Sequence, residues 1–221
     1  MAPLASPFLL AFVALLAPSS LAQSPPSFAA PVVVPVGAAP QGLALGEFNG
    51  DENLDLVSAD SGAGTVTWRL GDGIGGFPSA HSAPVEIEPV DVEVADLDGD
   101  GGADLVVANY SSGSLSVLLS DGNGGFAPQT SFADGSQPAA IAFGDVNDDG
   151  ALDVAVAHYL NPGYATVLIG DGLGGLAAPT FIPIASDRPV EAALRDLDGD
   201  GAVELLVVSA HASASFLSVL K

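Results

Sequence analysis

The sequence predicts an all-β fold assembled from four copies of one unit. Three observations lead there. An acidic nine-residue pattern begins at Glu47, Asp96, Asp145 and Asp196, so successive copies start 49, 49 and 51 residues apart. Short runs rich in Val, Leu and Ala flank each copy, punctuated by 27 glycines and 17 prolines, and no segment carries a helical period. Hydrophobic residues make up 48% of the 221, ample for a core.

The first 22 residues are expected to be a secretory signal peptide. Phe8 to Ala17 form a short apolar core, Pro18 breaks it, and Ser20-Leu21-Ala22 offers small residues before Gln23. The run is too short to span a bilayer, and no second apolar stretch follows. The mature chain would begin near Gln23, with residues 23–27 as a Pro/Ser leader and residues 28–221 as the folded domain. That implies a secreted, cell-surface or periplasmic protein. With no cysteine there is no disulfide to staple it.

Within each unit the order is regular. Phe28, Phe77, Phe126 and Leu176 each precede Pro40, Pro89, Pro138 and Pro189 by 12 or 13 residues. A first strand follows each proline: Gly42–Phe48, Val90–Ala95, Ala139–Phe143 and Val190–Leu194. After the acidic loop comes a more apolar second strand: Leu54–Ala59, Ala103–Ala108, Leu152–Ala157 and Val203–Ser209. The third strands are Thr65–Leu70, Ser114–Leu119, Ala165–Ile169 and Phe216–Leu220. Glycine-rich turns at 71–76, 121–125 and 171–175 then lead to a fourth, outer strand.

Four antiparallel strands per period describe the blade of a β-propeller. The last unit stops after its third strand, and Phe28–Val36 is expected to supply the missing one, clasping the ends of a ring of four four-stranded blades. The alternative is half of a larger propeller built from two chains, so monomer and homodimer both remain open.

The acidic loops carry the chemistry. Asp96, Asp98, Asp100 and Asp104 occupy alternate positions of a tight loop, the arrangement by which hard cations gather oxygen ligands. A β-branched run, rather than a helix, follows, so the expected structure is a calcium-binding β-hairpin. The parallel sets are Asp145, Asn147, Asp149 and Asp153, then Asp196, Asp198, Asp200 and Glu204. The first loop offers Glu47, Asn49, Asp51 and Asp55, with Glu52 where its counterparts have glycine. Up to four calcium ions are expected.

Sixteen of the 27 acidic residues lie in these loops, against only four Lys and Arg, giving a net charge of −23. Nucleic acid and anionic membranes are disfavoured as partners, since both need a basic footprint.

The loop, its apolar strand and the Gly-Asp-Gly-x-Gly-Gly-Phe turn together resemble FG-GAP/VCBS repeats, over essentially all of residues 28–221. The resemblance implies a calcium-stabilised propeller outside the cytoplasm, used in cell adhesion or carbohydrate binding, and sometimes attached to enzymes. It is also similar to integrin α-subunit propellers, which commonly have seven blades where this chain supplies four.

A recognition face is expected opposite the acidic hairpins, from Asn109, Tyr110, His158, Tyr159, Tyr164, Arg188 and His211, whose rings and polar groups suit sugar stacking and hydrogen bonding. Trp68, aligned with Val117 and Val167, reads as packing. Catalysis has little support: the three histidines share no repeated position, and no nucleophile motif is present. The leading expectation is a non-catalytic binding or adhesion module for an extracellular glycan or protein. The alternatives are a polysaccharide lyase- or hydrolase-like enzyme on the same scaffold and a passive surface or assembly protein.

Overall fold

The computed structural model describes residues 31–184, 186–210 and 215–220. The predicted signal peptide, leader and His211 lie outside them. Among the described residues every element is a strand.

The first blade holds β1 (Pro40–Gly46), β2 (Asp55–Asp60), β3 (Thr65–Arg69) and β4 (His81–Pro84). The second holds β5 (Pro89–Ala95), β6 (Asp104–Asn109), β7 (Ser114–Leu118) and β8 (Thr130–Ala133). The third holds β9 (Pro138–Gly144), β10 (Asp153–His158), β11 (Tyr164–Leu168) and β12 (Thr180–Pro183). The fourth holds β13 (Pro189–Arg195), β14 (Glu204–Ala210) and β15 (Ser215–Leu220). Each blade is an antiparallel meander in chain order. The first strands lie side by side, β1 on β5, β5 on β9 and β9 on β13, the radial arrangement of a β-propeller.

Three blades have four strands and the fourth has three described strands. Residues 31–36, within the predicted closing segment, form no strand, and residues 28–30 lie outside the described residues. Of the predicted first strands only the first is shifted, the other three lying within the observed ones: β1 begins at Pro40 and ends at Gly46, so Phe48 belongs to the loop. Phe48 is fully buried there, a plug with its ring edge-on to Phe126 at 5.2 Å between centroids.

Among the described residues the core consists of three inter-blade layers, because alternate side chains of a strand face opposite blades. Val57, Ala59, Val66 and Trp68 of the first blade meet Val92, Leu105, Val107 and Leu118 of the second. Val106, Ala108, Leu115 and Val117 meet Ile141, Val154, Val156 and Leu168. Ala140, Ala142, Ala155 and Ala157 meet Ala192, Leu194, Leu205 and Val207. Trp68 is packing, as its alignment predicts; its indole N–H also donates to the Gly124 carbonyl of the next blade at 2.9 Å.

One backbone feature recurs. Ala39, Glu88, Gln137 and Arg188, each just before a blade's opening proline, adopt φ between +52° and +60°. Non-glycine residues seldom occupy that region. Here it turns each carbonyl to accept the amide that ends or follows the blade's second strand, from Ser61, Tyr110, Tyr159 and Ala210, at 2.9–3.1 Å.

Candidate functional site: the acidic hairpins and the opposite face

All four acidic loops share one backbone. The fourth position is left-handed at Gly50, Gly99, Asp148 and Gly199, and the sixth at Glu52, Gly101, Gly150 and Gly201. Glu52 therefore makes the same turn as its glycine counterparts, at φ +66°. The first-position carboxylate takes the inward amides: Asp96 accepts from Gly99 at 2.8 Å and Gly101 at 3.0 Å, and Asp196 accepts from Gly199 at 2.7 Å and Gly201 at 3.0 Å. Asp145 accepts from Gly150 at 2.8 Å and Asp149 at 3.1 Å, and these bonds hold its carboxyl below the usual range.

The ninth residue does something the sequence did not announce. Asp55, Asp104, Asp153 and Glu204 are all buried. Asp55 accepts from Phe48 N at 2.8 Å and Gly71 N at 2.7 Å, one bond per oxygen. Asp104 accepts from Leu97 N at 2.9 Å and Ser120 N at 2.8 Å, and Asp153 from Val146 N at 2.9 Å and Gly170 N at 2.8 Å. Glu204 takes the matching Leu197 amide at 2.8 Å. The carboxylate thus ties the start of the acidic loop to the segment that follows the third strand. Gly170 permits the approach, since a Cβ there would lie 2.1 Å from the Leu152 carbonyl oxygen.

The donor set suits a hard cation. In the second and fourth loops, carboxylate oxygens of Asp96, Asp98 and Asp104, and of Asp196, Asp198 and Glu204, lie within 4.8 Å of one another. A carboxylate oxygen that accepts one amide keeps a second lone pair, so the clamp and a ligand role are compatible. Burial, helped by the charges of Asp98 and Asp100, raises the Asp104 carboxyl above its ordinary value, and the amide bonds from Ser120 and Leu97 offset this only in part. In the first and third loops Asn49 and Asn147 donate to Asp51 at 3.2 Å and Asp149 at 2.9 Å, so a neutral group separates charges there.

On the same face, clefts run between neighbouring blades. The larger, of about 550 Å³, is bounded by Asp96, Gly99, Asp149 and Asp171. The glycine turns close each cleft by reaching back one blade, Gly124 N to Phe48 O at 2.7 Å and Gly174 N to Leu97 O at 3.3 Å.

The opposite face departs from expectation at two residues. Asn109 and His158 are buried, each as the last residue of its strand, and do not reach the surface. Asn109 donates to Ser116 at 2.9 Å. His158 bonds Ser136 O through Nδ1 and Thr166 Oγ1 through Nε2, both at 2.9 Å, with Asp134 at 3.2 Å. They belong to a polar belt inside the blades that also holds Asp60, bonded to Thr67 at 2.6 Å, and Ser209, bonded to Ser186 at 2.7 Å. The available signal was the repeat itself: positions 60, 109, 158 and 209 are polar in every unit, directly after an apolar run.

The remaining predicted residues do lie together in part. Arg188 is exposed and sits over the Tyr159 ring, 5.9 Å from its centroid. Tyr110 and Tyr159 are partly exposed, and partial burial, Glu88 and Tyr159 together raise the Tyr110 hydroxyl pKa. Tyr164 instead stacks on His158 at 4.3 Å and accepts the Ser136 amide at 2.9 Å, which ties it to the belt.

Fold and loops together define a propeller of repeated acidic hairpins. The FG-GAP-like repeat matches three times, over residues 47–107, 96–156 and 145–207, and the chain belongs to that family. No curated sequence matches the chain significantly. Among solved structures it is similar to an Agrocybe aegerita lectin described as recognising non-reducing terminal N-acetylglucosamine, with TM-score 0.54 and 21% identity over 80% of this chain and 51% of the lectin. It is also similar to BBS1N in its complex with ARL6DN, with TM-score 0.54 and 14% identity over 86% of this chain and 59% of the other. The chain thus spans little more than half the length of either structure.

Proposed function

We propose that this protein is a calcium-stabilised propeller, exported from the cytoplasm, that binds an extracellular glycan or protein through the face opposite its acidic hairpins. The observation that carries the calcium reading is fourfold: one loop backbone, one alternating oxygen pattern and one buried ninth-position carboxylate recur in every unit. Chance acidic turns have no reason to share all three.

Asp96, Asp98, Asp100 and Asp104 would hold the ion in the second loop, with their counterparts in the others. A bound calcium supplies positive charge to carboxylates that otherwise repel one another. The chain's own contribution is to hold them close through the Asp96 and Asp104 amide bonds. Export rests on the sequence pattern of residues 1–22.

For the ligand, Tyr110, Tyr159 and Arg188 offer partly exposed rings and an exposed cation. The lectin of similar fold supports a glycan as the first ligand class to test. Glycan-array binding by the wild type, lost in Tyr110→Ala/Tyr159→Ala at unchanged melting temperature, is the expected result. Equal binding by that variant would move the ligand site elsewhere, and silence on the array would favour a protein ligand.

A further inference from the structure

The three inter-blade layers obey one register, and that register runs on past both ends of the array. In the first three blades the side chains facing the next blade are Val57 and Ala59, Val106 and Ala108, then Ala155 and Ala157, all buried. Their counterparts in the fourth blade are Leu206 and Val208, and Val208 is 40% exposed. The third strand repeats this: Val66, Leu115 and Ala165 are buried, while Leu217, paired with Val208 as Val66 is with Ala59, is 60% exposed.

At the other end the positions facing the preceding blade behave the same way. Val92, Ile141 and Ala192 are buried, and their counterpart Leu43 is 67% exposed, with Leu45 beside it at 54%. Each internal junction packs a blade's second strand on the next blade's first strand: β2 on β5, β6 on β9 and β10 on β13. Among the described residues, the open ends are therefore the outward faces of β14 and of β1, which pack on no further blade. Val34 and Val36 line a cleft on this end together with Leu43 and Leu56, yet Leu43 and Leu45 both stay more than half exposed.

We propose that two copies of this chain join head to tail, the β14 face of each receiving β1 of the other, so that two chains close one ring. The interface is heterologous, continues the internal ones, and closes only if the rotation per chain brings the second junction together. A polar detail agrees. At the junction of the second and third blades Asp91 accepts from its own neighbour, Val92 N, at 3.0 Å and from Ile141 N across the junction at 2.9 Å. Glu191 is the residue at that position in the fourth blade and likewise accepts from its neighbour, Ala192 N, at 3.3 Å. Leu43 matches Ile141 in register, so the second oxygen of Glu191 would be the acceptor for the Leu43 amide of the other copy.

The test is light scattering on the full chain, with Val208→Arg and Leu43→Arg as separate variants and circular dichroism as the check on folding. The wild type should show twice the mass of one chain and each variant the mass of one chain. An equimolar mixture of the two variants retains one unaltered junction and should form a two-chain species that dissociates at higher concentration than the wild type. If Val208→Arg loses its β signal, Leu43→Arg, on an open strand, decides alone. A wild type of single-chain mass, an open polymer, or variants that keep the doubled mass would each overturn the proposal. A single-chain mass would mean that residues preceding Val34 or another partner cover the ends.

Discussion

Removing the Asp153 carboxylate should destabilise the protein whether or not calcium is present. Asp153 is buried and its two oxygens accept the amides of Val146 and Gly170. Asp153→Ala leaves both amides without their acceptor; an unsatisfied buried group such as the Gly170 amide costs about 1–3 kcal/mol and the part-buried Val146 amide less, or about 2–4 kcal/mol for the pair. For a domain of this size about 1 kcal/mol moves the melting temperature by about 2–4 °C, so a fall of about 4–16 °C is expected. Asp153→Asn keeps one acceptor but turns an NH₂ toward the other amide, and should lie between alanine and wild type. The assay is a thermal melt followed by circular dichroism in EDTA. A residue that acted only as a metal ligand would give no loss in EDTA. An unchanged melting temperature there would refute the clamp.

Other consequences are equally direct. Trp68 is the only tryptophan and is buried against Phe126 at 5.0 Å, so Trp68→Ala should cost about 3–5 kcal/mol, and the wild-type emission should shift red in one step with global unfolding. Glu52→Gly should stabilise the first hairpin by up to about 1 kcal/mol, because Glu52 sits at φ +66°; denaturant melts in EDTA would show it. Burial, then the charges of Asp91 and Glu191, push the Glu93 carboxyl from 4.5 up to about 7. A raised carboxyl favours folding at low pH, so its contribution is lost as pH rises from about 4.5 to about 7. Glu93→Gln should remove that decline and gain about 1–2 kcal/mol at pH 8 after allowance for solvent screening, with no gain at pH 4. Melts across pH would test it.

Much of the fold was legible because it is written in spacing. A loop that returns every 49 to 51 residues, with a proline seven residues before each start, leaves room for one hairpin order only. What was hidden depends on contacts between distant segments. Asp104 reads as an exposed ligand until Ser120 is seen to return and donate to it, which buries it. Asn109 and His158 read as loop residues because each is polar after an apolar run. The third strand supplies Ser116 and Thr166 as partners, which lets both end a buried strand. Phe48 looks like the end of a strand by hydrophobicity alone, yet the backbone has already left the sheet at Gly46 so that its ring can plug the space beside Phe126.

The most direct measurement is a calcium titration followed by calorimetry and by melting temperature, comparing wild type with Asp98→Ala/Asp198→Ala. Sites with Kd on the order of 10⁻⁴–10⁻³ M, held at tenfold excess, contribute about 1.4 kcal/mol each. The hairpin reading predicts saturable binding of more than one ion and a rise in melting temperature, both reduced in the double variant. No heat of binding, and identical melts in EDTA and millimolar calcium, would contradict it and leave the acidic hairpins as clamps alone.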